Sequence, residues 1–294
     1  MVLSSSLFLA ACGNTAGNQA QSAPAKDTTA GQTSQAPANQ PAAGQTADPA
    51  ANDAALKASI DQYRKWVIDQ TDQLVKATEG FTTAVKAGDV EQAKKLYAPA
   101  RMYYEKIEPI AESLGDFDPW IDAREGDVPD NEWRGYHKLE KALWVDKTTA
   151  GSEKVADQLL QDVKQLRVKV EGVDIQTKDL VTGAVELLNE VSTSKVTGEE
   201  ERYSRTDLYD FAANVEGANE IYKVLKPALE KKDAALAKDI ETRFADLDKA
   251  LAPYRKDKDF VLFTDLKEDQ TKKLSQTLDA LAEPLSKMGT VLEA

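Results

Sequence analysis

His137 is the single histidine of the 294-residue chain, and it lies in the stretch GYHKLEKALW. Glu140 follows it by three positions, so on a helix both side chains emerge on one face, within reach of a common ion. An imidazole nitrogen and a carboxylate oxygen form a donor pair that suits iron, zinc or manganese. Such a pair alone is more often a solvated or core pair on a helix, so a metal site requires further donors nearby.

Four further acids are candidate donors. Glu105 and Glu108 lie three apart in ARMYYEKIEPIAESLG and share a helix face, where their mutual repulsion would be relieved by a cation. A solvated acidic stripe has the same spacing. Asp122 lies in the acidic connection GDFDPWIDAREGDVPDNEW, which leads into the helix of His137, and Glu200 lies in GEEERYSRTDLYD. We therefore predict that these acids converge on the histidine.

Composition excludes several classes of site. One histidine excludes an HExxH zinc protease helix, and no Gly-x-Ser-x-Gly, Walker or dinucleotide-binding pattern occurs in the sequence. One cysteine excludes an intrachain disulfide and a thiolate metal cluster. The formal charge of -13, from 50 acidic and 37 basic residues, would repel nucleic acid and attract cations.

The N-terminal sequence predicts how the protein is located. A short apolar run ends in Leu9-Ala10-Ala11-Cys12, which resembles a bacterial lipobox, so residues 1–11 are predicted to be a signal peptide and Cys12 the lipidated residue. Residues 12–54 have no aromatic and no large aliphatic side chain, which predicts a flexible tether. The folded body, residues 55–294, is then expected on the extracytoplasmic face of the cell membrane, which it touches only through the lipid anchor.

The body is predicted to be all-α. Hydrophobic residues make up 41% of the chain and charged residues 30%, glycine and proline are few, and apolar residues recur at helical spacing from Leu56 onward. A weak repeat, in which Asp89 and Ala93 match Asp233 and Ala237, favours two similar sets of four helices. The eight predicted helices cover residues 56–88, 89–114, a segment from about 131, 151–171, 174–196, 205–231, 233–256 and 266–292.

Several segments of the body resemble the EfeO/EfeM family of bacterial iron-uptake proteins, whose main domain is imelysin-like. They are ARMYYEKIEPIAESLGDFDPWIDAREGDV, WRGYHKLEKALW, GEEERYSRTDLYDFAANVEGA and LAEPLSKM. The HxxE motif of that family falls on His137, Lys138, Leu139 and Glu140. The resemblance spans residues 56–294 and implies an imelysin-like pair of packed four-helix bundles.

The resemblance also implies a function. It implies the iron-binding component of an EfeUOB-type uptake system, which passes iron to an EfeU-type permease alongside an EfeB-type haem peroxidase. Many EfeO proteins carry an N-terminal cupredoxin domain, whereas this chain has the low-complexity tether there, so copper chemistry is not expected. The domain class is historically grouped with metallopeptidases, but the sequence has no recognisable peptidase constellation.

We therefore expect a lipid-anchored iron-binding protein that is a monomer and not an enzyme. Iron could be bound as Fe²⁺ or Fe³⁺, and Zn²⁺ or Mn²⁺ would accept the same donors. Two alternatives remain open: a metal-dependent peptidase of the imelysin class, and a module that binds an acidic polysaccharide through bridging cations. The predicted metal ligands are His137, Glu140, Glu105, Glu108, Asp122 and Glu200.

Overall fold

Helices make up most of the computed structural model, which describes residues 49–111, 114–193 and 195–293. The predicted signal peptide, Cys12 and the tether up to residue 48 lie outside these residues. The all-α prediction is confirmed, because the strands within the described residues are limited to one hairpin, β1 (Arg255–Lys256) antiparallel to β2 (Asp259–Phe260). No helix among the described residues is both long and apolar enough to cross a bilayer.

Nine α-helices occur in the described residues, and a π-helical turn, Ala142–Asp146, continues the fourth of them. Single 3₁₀ turns cover Lys195–Thr197, Ala252–Tyr254 and Phe263–Asp265. The helices are α1 (Pro49–Lys86), α2 (Val90–Ala111), α3 (Phe117–Ile121), α4 (Tyr136–Lys141), α5 (Glu153–Glu171), α6 (Thr177–Thr193), α7 (Asp207–Lys232), α8 (Ala234–Leu251) and α9 (Glu268–Glu293).

The helices form two packed sets, as predicted. In the first set, α1 packs along α2 and α5, and the short α4 with its π-helical turn fills the fourth position. In the second set, α6, α7, α8 and α9 each pack against two neighbours and form a four-helix bundle. Helix α7 also packs on α1 and α2, so one continuous core joins the two sets.

The predicted starts of the second and seventh helical segments, at residues 89 and 233, are confirmed in detail. The backbone N–H of Gln92 donates to Asp89 Oδ1 at 3.0 Å, and that of Leu236 donates to Asp233 Oδ1 at 2.9 Å. Each aspartate thereby caps the N-terminus of its helix, α2 or α8. The matched caps agree with the internal repeat, whose origin by duplication stays a prediction.

Two predicted boundaries are wrong. Helix α1 begins at Pro49, whereas residues 49–54 were predicted to belong to the tether. Proline at the first helical position and the alanines that follow it favour a helix even where the segment has no apolar face. The helix predicted from about residue 131 begins instead at Tyr136. Gly135, directly before it, has a φ of 91°, a left-handed conformation that ends helical continuity.

Gly135 also determines where α4 lies. A Cβ at this position would be 2.3 Å from the carbonyl oxygen of Ile121, the last residue of α3. The start of α4 can therefore approach the end of α3 only with glycine here. This close approach brings His137, two residues after Gly135, next to Asp122, one residue after Ile121.

Candidate metal centre

A buried cluster of charged side chains lies between the two helical sets. Helix α2 contributes Arg101, which is fully buried, and α4 contributes His137, which is 1% exposed. Carboxylates surround these two residues from α2, from the residue after α3, from α4, from the segment before α7 and from α7 itself. The six carboxylates of this central cluster are Glu105, Asp122, Glu140, Glu200, Glu201 and Asp210.

The two ring nitrogens of His137 have different surroundings. Nδ1 lies 3.1 Å from Glu140 Oε2 and 3.4 Å from the hydroxyl of Tyr97. Nε2 lies 3.8 Å from Asp122 Oδ1 and 3.6 Å from Glu200 Oε1. Since Nδ1–H donates to Glu140, Nε2 is the nitrogen left to bind another group.

Glu140 is held rigidly by the segment before α7. Its Oε1 accepts hydrogen bonds from the backbone N–H groups of Tyr203, at 2.9 Å, and Ser204, at 2.7 Å. Its Oε2 is the oxygen that faces His137 Nδ1. Both carboxylate oxygens thus have fixed partners, and Glu140 orients the imidazole.

Arg101 is the cation at the centre of the cluster. Its Nη1 donates to Asp122 Oδ1 and lies 3.1 Å from His137 Nε2. Its Nη2 lies 2.5 Å from Glu105 Oε1 and 3.4 Å from Glu200 Oε1. The guanidinium therefore contacts the carboxylates that also face the histidine.

Two groups of three side chains place donor atoms close enough to share one ion. The first, the outer donor set, consists of Asp122, His137 and Glu200, and the second, the inner donor set, consists of His137, Glu140 and Glu201. The inner set lies on the Nδ1 side of the ring, where Glu201 also accepts a hydrogen bond from Ser204 Oγ at 2.7 Å. The outer set lies on the Nε2 side.

The buried charges of the central cluster shift the pKa values of its members. Burial and the charge of Arg101 lower the pKa of His137, but Glu140, Glu200 and Asp122 outweigh them and raise it to about 9. Burial raises the pKa of Asp122 to about 6, although Arg101 opposes this shift. Burial and the neighbouring Glu140 raise the pKa of Glu201 well above its usual range. Any ion that binds here must therefore displace protons.

Two members of the outer donor set line a cleft that is open to solvent. The cleft has a volume of about 370 Å³, and its lining includes Asp122 and Glu200, which are 9% and 3% exposed. Arg124 stands at its side and donates to Glu200 Oε2 at 2.8 Å. We call this the acidic cleft, because six carboxylates line it: Glu108, Asp118, Asp122, Asp127, Glu190 and Glu200.

The sequence-predicted residues divide into three groups. His137, Asp122 and Glu200 meet as the outer donor set, and Glu140 lies behind the histidine. Glu105 belongs to the cluster, where it pairs with Arg101. Glu108 belongs to neither donor set; it lines the acidic cleft and accepts a hydrogen bond from Asn214 Nδ2 at 2.7 Å.

Sequence reasoning missed Arg101 and the structural role of Asn214. Arg101 lies on the same face of α2 as the buried Tyr97 and Tyr104, four residues before and three after it, so its position is that of a core residue. A charged residue at a core position is unusual enough to mark a buried polar network. Asn214 on α7 donates to Glu105 Oε2 at 3.0 Å as well as to Glu108.

Comparison with known proteins places the chain in a family. The Imelysin family model matches residues 59–288. A protein of Staphylococcus haemolyticus named "Efem/EfeO family lipoprotein" is 43% identical over 298 residues, covering 100% of this chain and 98% of the relative. A protein of Staphylococcus aureus with the same name is 46% identical over 246 residues, covering 82% of this chain and 87% of the relative. The chain therefore belongs to the imelysin family, with the EfeM/EfeO lipoproteins as its relatives.

Proposed function

We propose that the protein binds an iron ion on the extracytoplasmic face of the membrane and holds it for transfer to a permease. One observation carries this proposal. Asp122 Oδ1 and Glu200 Oε1 lie 3.8 Å and 3.6 Å from His137 Nε2, and both carboxylate residues line a cleft open to solvent. Ligand atoms about 2.1 Å from a tetrahedral ion are about 3.4 Å from one another, so the distances from Nε2 to the two carboxylate oxygens are close to those that a bound metal requires.

The outer donor set suits the ion by its chemistry. Two carboxylates and one imidazole match iron(II), manganese and zinc, and open positions facing the cleft would let the ion enter and leave. Glu140 supports this assignment as the partner of Nδ1, since metal-binding histidines usually donate their second N–H to a carboxylate or carbonyl. In this proposal Glu140 of the HxxE motif positions the ligand His137.

The charge of the buried site also favours a cation. Six carboxylates surround Arg101 and His137 in the central cluster, and burying unbalanced negative charge is costly. Protons supply the balance in part, as the raised pKa values of Asp122 and Glu201 indicate. A divalent ion would replace those protons and stabilise the ionised carboxylates.

We propose a carrier role and not an enzymatic one. The relatives are named lipoproteins, and the Leu9-Ala10-Ala11-Cys12 sequence supplies the matching lipid attachment site at Cys12. The same names, with the buried donor set, support a place in iron uptake beside an EfeU-type permease and an EfeB-type haem peroxidase. Hydrolysis of a peptide by the metal-loaded protein, lost in the His137→Gln variant, would contradict this part of the proposal.

Calorimetric titration of the full chain tests the proposal. Fe²⁺ under anaerobic conditions, chelated Fe³⁺, Mn²⁺ and Zn²⁺ are each added to the wild type and to the His137→Gln and Glu200→Gln variants. We expect the wild type to bind about one equivalent of iron. Loss of a residue that only orients a ligand lowers metal affinity by roughly 10–100-fold, and both variants should lose more than that because each removes a ligand.

Glu199→Gln is the matched control, because Glu199 is exposed, is next to Glu200 in the chain and carries the same charge. It should bind iron as the wild type does. Equal binding by the wild type and by both site variants would contradict the outer donor set. Absence of iron binding by the wild type would overturn the proposed function itself.

A further inference from the structure

We infer that Arg101 is an internal competitor for the metal ion: its guanidinium fills the outer donor set, and an ion binds only when the guanidinium withdraws. The inference rests on the proposed function, since it describes how that same site would load and unload. It concerns a residue outside the predicted ligands and outside the HxxE motif.

The first step is that Arg101 contacts every member of the outer donor set. Its Nη1 donates to Asp122 Oδ1 and lies 3.1 Å from His137 Nε2, and its Nη2 lies 3.4 Å from Glu200 Oε1. These are the three atoms that converge for an ion. A metal ion about 2.1 Å from each would overlap Nη1 and would repel its charge, so the ion and the guanidinium exclude each other.

The second step is that the guanidinium has another set of partners. Its Nε lies 2.8 Å from Glu201 Oε1 and 3.5 Å from Asp210 Oδ1, and its Nη2 lies 2.5 Å from Glu105 Oε1. None of these three carboxylates belongs to the outer donor set. Arg101 can therefore release the outer donor set while its charge stays paired, which avoids the cost of an unpaired buried cation.

The consequence is a site of moderated affinity. Only the molecules in which Arg101 has withdrawn can bind the ion. The apparent affinity is therefore the intrinsic affinity multiplied by the fraction of such molecules. The guanidinium stabilises the donor set after the ion has left, which favours release of the ion by a carrier. Arg101 would thus favour release as well as oppose loading.

Arg124 provides a matched comparison. It is also an arginine paired with Glu200, but it donates to the outer oxygen Oε2, at 2.8 Å, and its side chain is 25% exposed. It lines the acidic cleft. Arg101→Gln and Arg124→Gln therefore each remove one positive charge next to Glu200, but only Arg101→Gln removes the group that lies among all three members of the outer donor set.

The test is competitive titration of Zn²⁺ into the full-length wild type, Arg101→Gln, Arg124→Gln and His137→Gln. Arg101→Gln should bind zinc tighter than the wild type by about tenfold or more, and Arg124→Gln should gain clearly less. Equal gains would reduce the effect to net charge, and weaker binding by Arg101→Gln would show that Arg101 organises the donors; either result overturns the inference. Zinc binding by the wild type that His137→Gln abolishes leaves the proposed function standing in both cases.

A second measurement decides the matter if Arg101→Gln does not fold. Nitrogen NMR of wild-type protein labelled on arginine reports the guanidinium protons directly. On saturation with Zn²⁺ the Nη signals of Arg101 should shift and lose protection from exchange, because they lose Asp122 and His137 as partners. Unchanged Arg101 signals in a zinc-saturated protein would overturn the inference, whereas failure of zinc to bind would overturn the proposed function.

Discussion

In the proposed site, Nδ1 of His137 donates a hydrogen bond to Glu140 and Nε2 binds the metal. This division predicts the pH dependence of metal binding. The pKa of the ring is raised to about 9, so the ring carries two protons at neutral pH in the metal-free protein. A metal at Nε2 must displace one of them. Affinity for Mn²⁺ should therefore rise about tenfold per pH unit between pH 6.5 and 8, as measured by titration, and level off near pH 9.

Glu140→Gln distinguishes an orienting residue from a ligand. Glu140 is one of the groups that raise the pKa of His137, so its removal should lower that pKa and shift the pH profile to lower pH. At high pH the variant should keep most of its affinity for Mn²⁺, with a loss within about 10–100-fold. A profile with unchanged midpoint and a larger loss at every pH would make Glu140 a ligand, as the sequence spacing first predicted.

The residues at this scale were partly accessible to sequence reasoning. The lone histidine and the acidic stretches predicted His137, Asp122 and Glu200 as ligands, because donor chemistry is a property of residue types; the structure brings these three together, and their binding of a metal stays a prediction. Arg101 was not identified, since an arginine is ordinarily a surface residue and only its helical register relative to Tyr97 and Tyr104 indicates burial. Which nitrogen and which oxygen converge depends on side-chain geometry, which spacing does not encode.

At the scale of elements, the contact between α3 and α4 determines whether the donors meet. Gly135 combines a φ of 91° with a Cβ direction that points at the carbonyl of Ile121, 2.3 Å away. Gly135→Ala should cost about 2–4 kcal/mol of stability and should weaken Mn²⁺ binding, because Asp122 and His137 would be pushed apart. Chemical denaturation and metal titration measure the two effects.

Gly151→Ala is the matched control for that prediction. Gly151 has a similar φ of 82°, but a Cβ there would meet no atom within 4 Å. Its substitution should cost about 1 kcal/mol through backbone strain alone and leave metal binding unchanged. Equal stability losses for the two variants, with metal binding intact in both, would contradict the positioning role of the α3–α4 contact.

The long helices were predictable, and the short ones were not. The predicted segments that begin at residues 89 and 233 match the starts of α2 and α8 within a residue, because apolar periodicity and the capping aspartates at these positions are local features. Helices α3 and α4 have five and six residues, too few for a periodic signal, and their bounds follow from the close approach at Gly135. The segments nearest the donors are thus those that tertiary contacts determine.

At the scale of the whole molecule, the outer donor set bridges segments far apart in the chain. Asp122 and His137 lie among the elements of the first helical set, whereas Glu200 lies between α6 and α7 of the second. An ion bound to all three would cross-link the two sets. Metal binding should therefore stabilise the fold as one unit and not a single loop.

Thermal unfolding tests this cross-link. Zn²⁺ at about 100 times its dissociation constant adds about 2.7 kcal/mol, which for a domain of this size raises the Tm by about 5–10 °C. Glu200→Gln should lose most of this shift, since it removes the donor from the second set, whereas Glu199→Gln should keep it. A zinc-induced shift of equal size in both variants, or separate transitions for two parts of the protein with only one of them shifted, would show that the ion does not join the sets through Glu200.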